Sequence, residues 1–102
     1  MSAGGSHSCG LGVGGAVVCW GDDSYGQSAD PEGTFAAVSA GGSHSCGLGV
    51  GGAVVCWGDD SYGQSAVPDG TFVAVFAGAT ETCGVRANGI VVCWGENPIR
   101  LR

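Results

Sequence analysis

Residues 2–38 and 39–75 align without a gap and differ only at Asp30 against Val67, Glu32 against Asp69 and Ala36 against Val73, which sets a period of 37 residues. A third, diverged unit occupies 76–102, where CWGEN is followed by the tail PIRLR instead of the SYGQS continuation of the other two. Fixed self-similarity at this length marks a solenoid, a propeller or an array, because one such unit cannot bury its own apolar face and must stack on the next. Near-identity between two units points to recent duplication or deliberate repetition.

Twenty-two Gly and three Pro would suggest disorder in an aperiodic chain. Here Trp20, Trp57, Trp94, six Cys and paired Val recur at fixed intervals, and these side chains favour a packed pleated surface. Within a unit, TFVAV, HSCGL and AVVCW have the character of short strands separated by Gly- or Ser-rich connections, and no stretch carries a helical apolar period. The third strand is apolar on both sides, with Val17 and Cys19 on one face and Val18 and Trp20 on the other. Such a strand requires sheets stacked on sheets.

The expected fold is therefore all-β: a β-propeller segment (1–102) with three-stranded antiparallel blades, its repeats at 2–38, 39–75 and 76–102, the last truncated. The blade core expected from this pattern is Trp20, Trp57, Trp94, Val18, Val55, Val92, Phe35 and Phe72. Trp20 and Trp57 are expected between blades, and Trp94 protected only by another chain or by the tail. The first unit, which starts after a TFVAV-type strand, is expected to contribute two strands and an open edge.

Cys9 and Cys19, Cys46 and Cys56, and Cys83 and Cys93 each lie ten residues apart. A three-residue loop Ala87-Asn88-Gly89, with Gly89 in the left-handed region as a bulge, sets Cys83 opposite Cys93. Counting outward from a hydrogen-bonded closing pair Arg86 and Ile90, the cysteines fall in a non-hydrogen-bonded pair, where opposed side chains come closest and a cross-strand disulfide forms most easily. A two-residue loop would instead oppose Cys83 and Trp94. Disulfides are favoured over free buried thiols and over metal: the third unit reads TETC, keeping its Cys while losing the His of HSC, and compact C-x2-4-C spacing is absent. His7 and His44 are expected as hydrogen-bonding strand-edge residues.

Several superficial motifs dissolve in context. Gly10 to Gly15 matches G-x-G-x-x-G, but a strand follows it where a dinucleotide site needs a helix. Asp22-Asp23-Ser24 and Asp59-Asp60-Ser61 lack the spacing of a calcium loop and suit a turn before Tyr25 and Tyr62. No nucleophile, base and acid set and no pair of carboxylates with separated environments stands out, so no catalytic, cofactor or metal residue is assigned and no enzyme is expected.

The formal net charge is −6, Lys is absent and the only Arg residues are Arg86, Arg100 and Arg102, which argues against nucleic-acid binding. No run reaches the roughly 20 apolar residues of a membrane span, and the start MSAGGSHSCG lacks the regions of a signal peptide. Paired cysteines nevertheless favour an extracellular or periplasmic parent.

The pattern GGSHSCGLGVGGAVVCWGDDSYGQ, with GATETCGVRANGIVVCWGEN in the third unit, resembles the repeat of the regulator of chromosome condensation family. In its short unit it is most similar to the bacterial branch typified by beta-lactamase inhibitory protein II. The resemblance implies a β-propeller, typically of seven blades, whose members act mostly as protein-binding platforms or guanine-nucleotide exchange factors. Neither exchange nor inhibitor activity is carried over, since a shared scaffold does not imply shared contact residues.

The function expected is a non-catalytic structural or protein-interaction scaffold that self-assembles as a homo-oligomer, a dimer ahead of a trimer, with another protein as a further partner. The alternative is a lectin-like module in which Trp20 and Trp57 stack on glycans.

Overall fold

In the computed structural model, which describes residues 2–29 and 33–95, the turn inside each unit sets the register of the strands around it. Gly89 has a φ of +89°, and its N–H donates to the Arg86 carbonyl at 2.9 Å while Arg86 N–H donates to the Ile90 carbonyl at 2.9 Å. A positive φ is open to glycine at little cost, so the loop closes after three residues. The same bonds recur at Gly12, Gly15 and Ala16 and at Gly49, Gly52 and Ala53.

Among the described residues nine strands result: β1 (Ser2–Ala3), β2 (His7–Leu11), β3 (Val17–Gly21), β4 (Phe35–Ala40), β5 (His44–Gly49), β6 (Val54–Gly58), β7 (Ala74–Ala77), β8 (Glu81–Val85) and β9 (Val91–Gly95). They form three antiparallel sheets in the orders β1-β2-β3, β4-β5-β6 and β7-β8-β9. Each sheet is one blade. The first blade thus has a third strand, contrary to the expectation of two. Ser2 and Ala3 pair with Cys9 and Ser8, because the outer strand of a blade runs past the TFVAV segment into the Ser-Ala that opens the next sequence unit.

The turns bring Cys9 opposite Cys19, Cys46 opposite Cys56 and Cys83 opposite Cys93. All three pairs are disulfides, with Cα atoms 4.0 Å apart. Each closes a short loop and so removes unfolded-chain entropy, a contribution of about 2.5 to 3 kcal/mol before any strain is subtracted.

Two apolar clusters lie between blades. Cys9, Val17 and Cys19 of the first blade meet Phe35, Val38, Ala40 and Trp57 of the second. Cys46, Leu48 and Val54 of the second meet Phe72, Val75, Val92 and Trp94 around the third, with Val67 from the connection. The stacking has a direction: Trp57 and Trp94 each pack back onto the blade before their own. Trp57 and Trp94 are consequently covered, whereas Trp20 is 49% exposed, which reverses the expected fates of Trp20 and Trp94.

Phe35 and Phe72 are buried, as the core pattern requires, but Val18 and Val55 are 50% and 47% exposed and stand outside it. Val18 shares the uncovered face of Trp20. Val92 joins the cluster at the second junction, whereas Val55 stays outside both clusters.

Phe35 and Phe72 each lie over a glycine of the central strand. A Cβ built on Gly47 would stand 2.7 Å from the Phe35 ring, and one on Gly84 2.5 Å from the Phe72 ring. The glycine supplies the room that lets the ring lie flat. Gly84→Ala is expected to displace Phe72 and lower stability by about 1 to 3 kcal/mol, the range for overpacked cores, while Gly51→Ala, which meets nothing within 4 Å, leaves it unchanged. Urea unfolding of the two variants decides the point, and equal midpoints would remove the packing argument.

Candidate functional site

A single peptide carbonyl organises each blade junction. Gln27 O accepts the hydroxyl of Ser45 at 3.0 Å and the indole N–H of Trp57 at 3.0 Å, both from the following blade. Gln64 O accepts Thr82 Oγ1 at 2.9 Å and Trp94 Nε1 at 3.0 Å in the same way. With its proton committed to the carbonyl, each hydroxyl is left as an acceptor. His7 Nε2 lies 2.7 Å from Ser45 Oγ, and His44 Nε2 lies 2.8 Å from Thr82 Oγ1. Each imidazole is therefore assigned as the neutral tautomer with its proton on Nε2, since the neutral ring has one donor and one acceptor.

The side chain of the same glutamine anchors the loop that carries the carbonyl. Gln27 Oε1 accepts Tyr25 N–H at 2.9 Å, and its amide faces Asp22 Oδ2 at 3.4 Å; Gln64, Tyr62 and Asp59 repeat the arrangement. Gln27 and Gln64 are fully buried. Hydrogen bonds from the hydroxyl and then the backbone N–H of Ser24 hold the Asp22 carboxyl below its ordinary value, and Ser61 does the same for Asp59. The acidic pairs thus stiffen a turn, as their spacing suggests.

Backbone bonds complete the junction. Gly5 N–H donates to Gly41 O and Gly42 N–H to Gly78 O, both at 3.0 Å, while Ser2 Oγ accepts Ala40 N–H and Ser39 Oγ accepts Ala77 N–H. Among the described residues, no cluster of three or more His, Cys, Asp or Glu is placed to hold a metal, and with all six sulfurs in disulfides no thiolate is left as a ligand. His7 and His44 open their strands but are buried across junctions, not held at a strand edge, because the following blade covers them. Gln27, Gln64, Ser45 and Thr82 escape the sequence reading. The available signal was the exchange of HSC for ETC, which keeps a hydroxyl beside the Cys while the residue before it changes.

Among the described residues, two faces of the stack lack a neighbouring blade. One presents Ser8, Val18 and Trp20 of the first blade. The other presents Phe76, Val91 and Cys93 of the third, with Phe76 60% and Val91 59% exposed. Position 76 corresponds to Ser2 and Ser39, so an apolar ring replaces a junction hydroxyl there. These faces are the candidate interaction surfaces.

Residues 1–27 and 35–64 match the family model of the regulator of chromosome condensation (RCC1) repeat. Among solved structures, the entire ectodomain of the receptor kinase CR4 from Physcomitrella patens matches with a TM-score of 0.79 and 37% identity, over 91% of this chain and 27% of that one. The CRINKLY WD40 ectodomain of the receptor kinase ACR4 from Arabidopsis thaliana matches with a TM-score of 0.68 and 34% identity, over 92% of this chain and 34% of that one. Yeast RCC1 (Prp20), solved bound to Kap60, shares the fold with a TM-score of 0.80 at 20% identity, over 91% of this chain and 31% of that one. The chain spans about a third or less of the length of these structures. No curated protein matches it in sequence.

Thr82→Val keeps the shape of a fully buried residue and deletes its hydroxyl, leaving the His44 N–H without its acceptor and Gln64 O with one donor fewer. A loss of about 1 to 3 kcal/mol in chemical unfolding is expected for the orphaned groups, and a neutral result would show that the relay carries no stability.

Burial pushes both imidazoles below their ordinary value of 6.5, against smaller opposing effects of the His44 backbone and then Asp22 on His7, and of Glu81 and Asp59 on His44. The folded state keeps them neutral while the unfolded chain takes up protons from 6.5 downwards. Their contribution is thus complete above about pH 6.5 and is lost as pH falls through the folded-state values. Asp22 and Asp59, depressed from 3.8, contribute above that value and lose their share below it. Thermal midpoints recorded from pH 7 to 5 should decline, and the slope should flatten in a variant carrying both His7→Gln and His44→Gln; an unaltered slope would assign it to other groups.

Proposed function

Because the chain belongs to the regulator of chromosome condensation (RCC1) repeat family, we propose that it is a non-catalytic β-propeller module, a structural and protein-binding scaffold that assembles with copies of itself. The observation that carries this reading is the pair of open blade faces. Each has the composition of a face that is buried elsewhere in the same chain. Uncovered sheet faces of this kind invite another chain.

Repetition itself favours binding over catalysis. Near-identical blades present the same groups again and again, whereas an active site needs chemically different residues converging on one pocket. A solved relative supports protein partners as a class: yeast Prp20 has been crystallised with Kap60 bound, and its binding to Gsp1p and histones has been described. For this chain the first partner is a second copy. Its acidic balance of −6 also suits a basic protein surface. Three disulfides and the plant receptor ectodomains among its structural neighbours are consistent with an extracellular location.

Sedimentation equilibrium of the purified chain at micromolar concentration should give one small closed species, a dimer ahead of a trimer. A well-folded monomer would overturn self-assembly, and a continuous ladder of sizes would replace closure with open-ended stacking. A glycan array with strong, specific hits would move the assignment to the lectin-like alternative.

A further inference from the structure

We propose that copies join head to tail, with the open face of the third blade of one chain seated on the open face of the first blade of the next, and with the Ser8 hydroxyl donating to Glu81 of the neighbouring copy. The inference rests on the self-assembly reading above and adds its polarity, its faces and its polar contact.

The polarity follows from the two junctions inside the chain. Both bring the face carrying the disulfide of one blade against the face carrying the Trp of the next: Cys9 and Cys19 against Trp57, and Cys46 and Cys56 against Trp94. A blade is therefore two-sided, with one disulfide face and one Trp face. The first blade leaves its Trp face open and the third leaves its disulfide face open, so continuing the existing junction joins these two unlike faces. Two identical open faces would oppose Trp20 to Trp20, a contact with no counterpart in the chain. An interface between unlike patches is heterologous, and closes into a ring or runs on according to its rotation.

The substitutions in the third unit fit this junction. In the repeat register His7 stands against Ser45, and His44 against Thr82, each 38 residues on. Ser8 occupies the position of Ser45 and Thr82, and Glu81 that of His7 and His44. Inside the chain the hydroxyl spends its proton on Gln27 O or Gln64 O and accepts from His. The sequence contains no third YGQ segment, and Leu101 stands at the position of Gln27 and Gln64. A carboxylate accepts and does not donate, so Glu81 receives a hydrogen bond from the Ser8 hydroxyl where His7 and His44 donate to Ser45 and Thr82. On the same face Phe76 replaces a serine and adds apolar surface 60% exposed, and Cys93 is exposed while Cys9 and Cys46 are fully buried at covered junctions.

The test uses one substitution on each face, both at exposed positions that take no part in the internal junctions. Trp20→Glu blocks the head, and Phe76→Glu blocks the tail. In sedimentation at concentrations where the unaltered chain is oligomeric, each variant alone should be a monomer. An equimolar mixture should form a dimer and nothing larger, because one good head meets one good tail. Either variant assembling alone, or a mixture that stays monomeric, would overturn the head-to-tail junction, whereas a monomeric unaltered chain would overturn self-assembly itself.

A second measurement needs no variant. Mass-spectrometric timing of reduction by a phosphine should show the Cys83–Cys93 disulfide opening at least tenfold more slowly in the assembled chain than in dilute monomer. Equal rates in a demonstrated oligomer would place the interface elsewhere.

Discussion

The carbonyl oxygen of Gln27, and its counterpart at Gln64, is the point on which the stacking of blades depends. A peptide carbonyl has two lone pairs, and here both are used by the next blade, one by a hydroxyl and one by an indole N–H. Burying that oxygen without partners would cost free energy of the order of a lost hydrogen bond, so the loop, the central strand and the third strand must arrive together. Everything else at the junction serves that arrival. The glutamine side chain fixes the loop, the aspartate fixes the glutamine, and the histidine of the preceding blade takes the remaining face of the hydroxyl.

Apolar packing and covalent closure then fill in what the polar contacts align. The three-residue turn opposes the cysteines, the disulfides lock the hairpin, and the locked hairpin offers a flat sulfur-rich surface to the Phe and Trp of its neighbour. A thin blade has little interior of its own. It becomes stable by contact with the next, the nearest-neighbour logic of repeat proteins.

The third unit differs from the first two on its outer face and also around its turn, at Val85, Arg86, Ala87, Asn88 and Ile90. Along the inner contacts it keeps the chemistry, exchanging Ser for Thr at position 82 and retaining Trp94. On the outer face it exchanges His for Glu at position 81 and Ser for Phe at position 76.

Much of this was determined by the sequence alone. Period, strand positions, the turn at Gly89 and the disulfide partners all follow from local rules, because a hairpin register depends on residues within about ten positions of one another. What the sequence could not show was direction. Alternation assigns Val18 and Trp20 to one face and Val17 and Cys19 to the other, but nothing local says which face meets the preceding blade and which the following one. Hence Trp20 was expected inside and stands 49% exposed, and Trp94 was expected to need another chain or the tail as cover and packs against the second blade. The buried glutamines were hidden for the same reason. A polar residue in a turn reads as surface until a second blade, folded from residues 18 and 30 positions further along, closes over its carbonyl. Only tertiary stacking brings those groups together, and so only the structure decided which blade faces are used and which remain open.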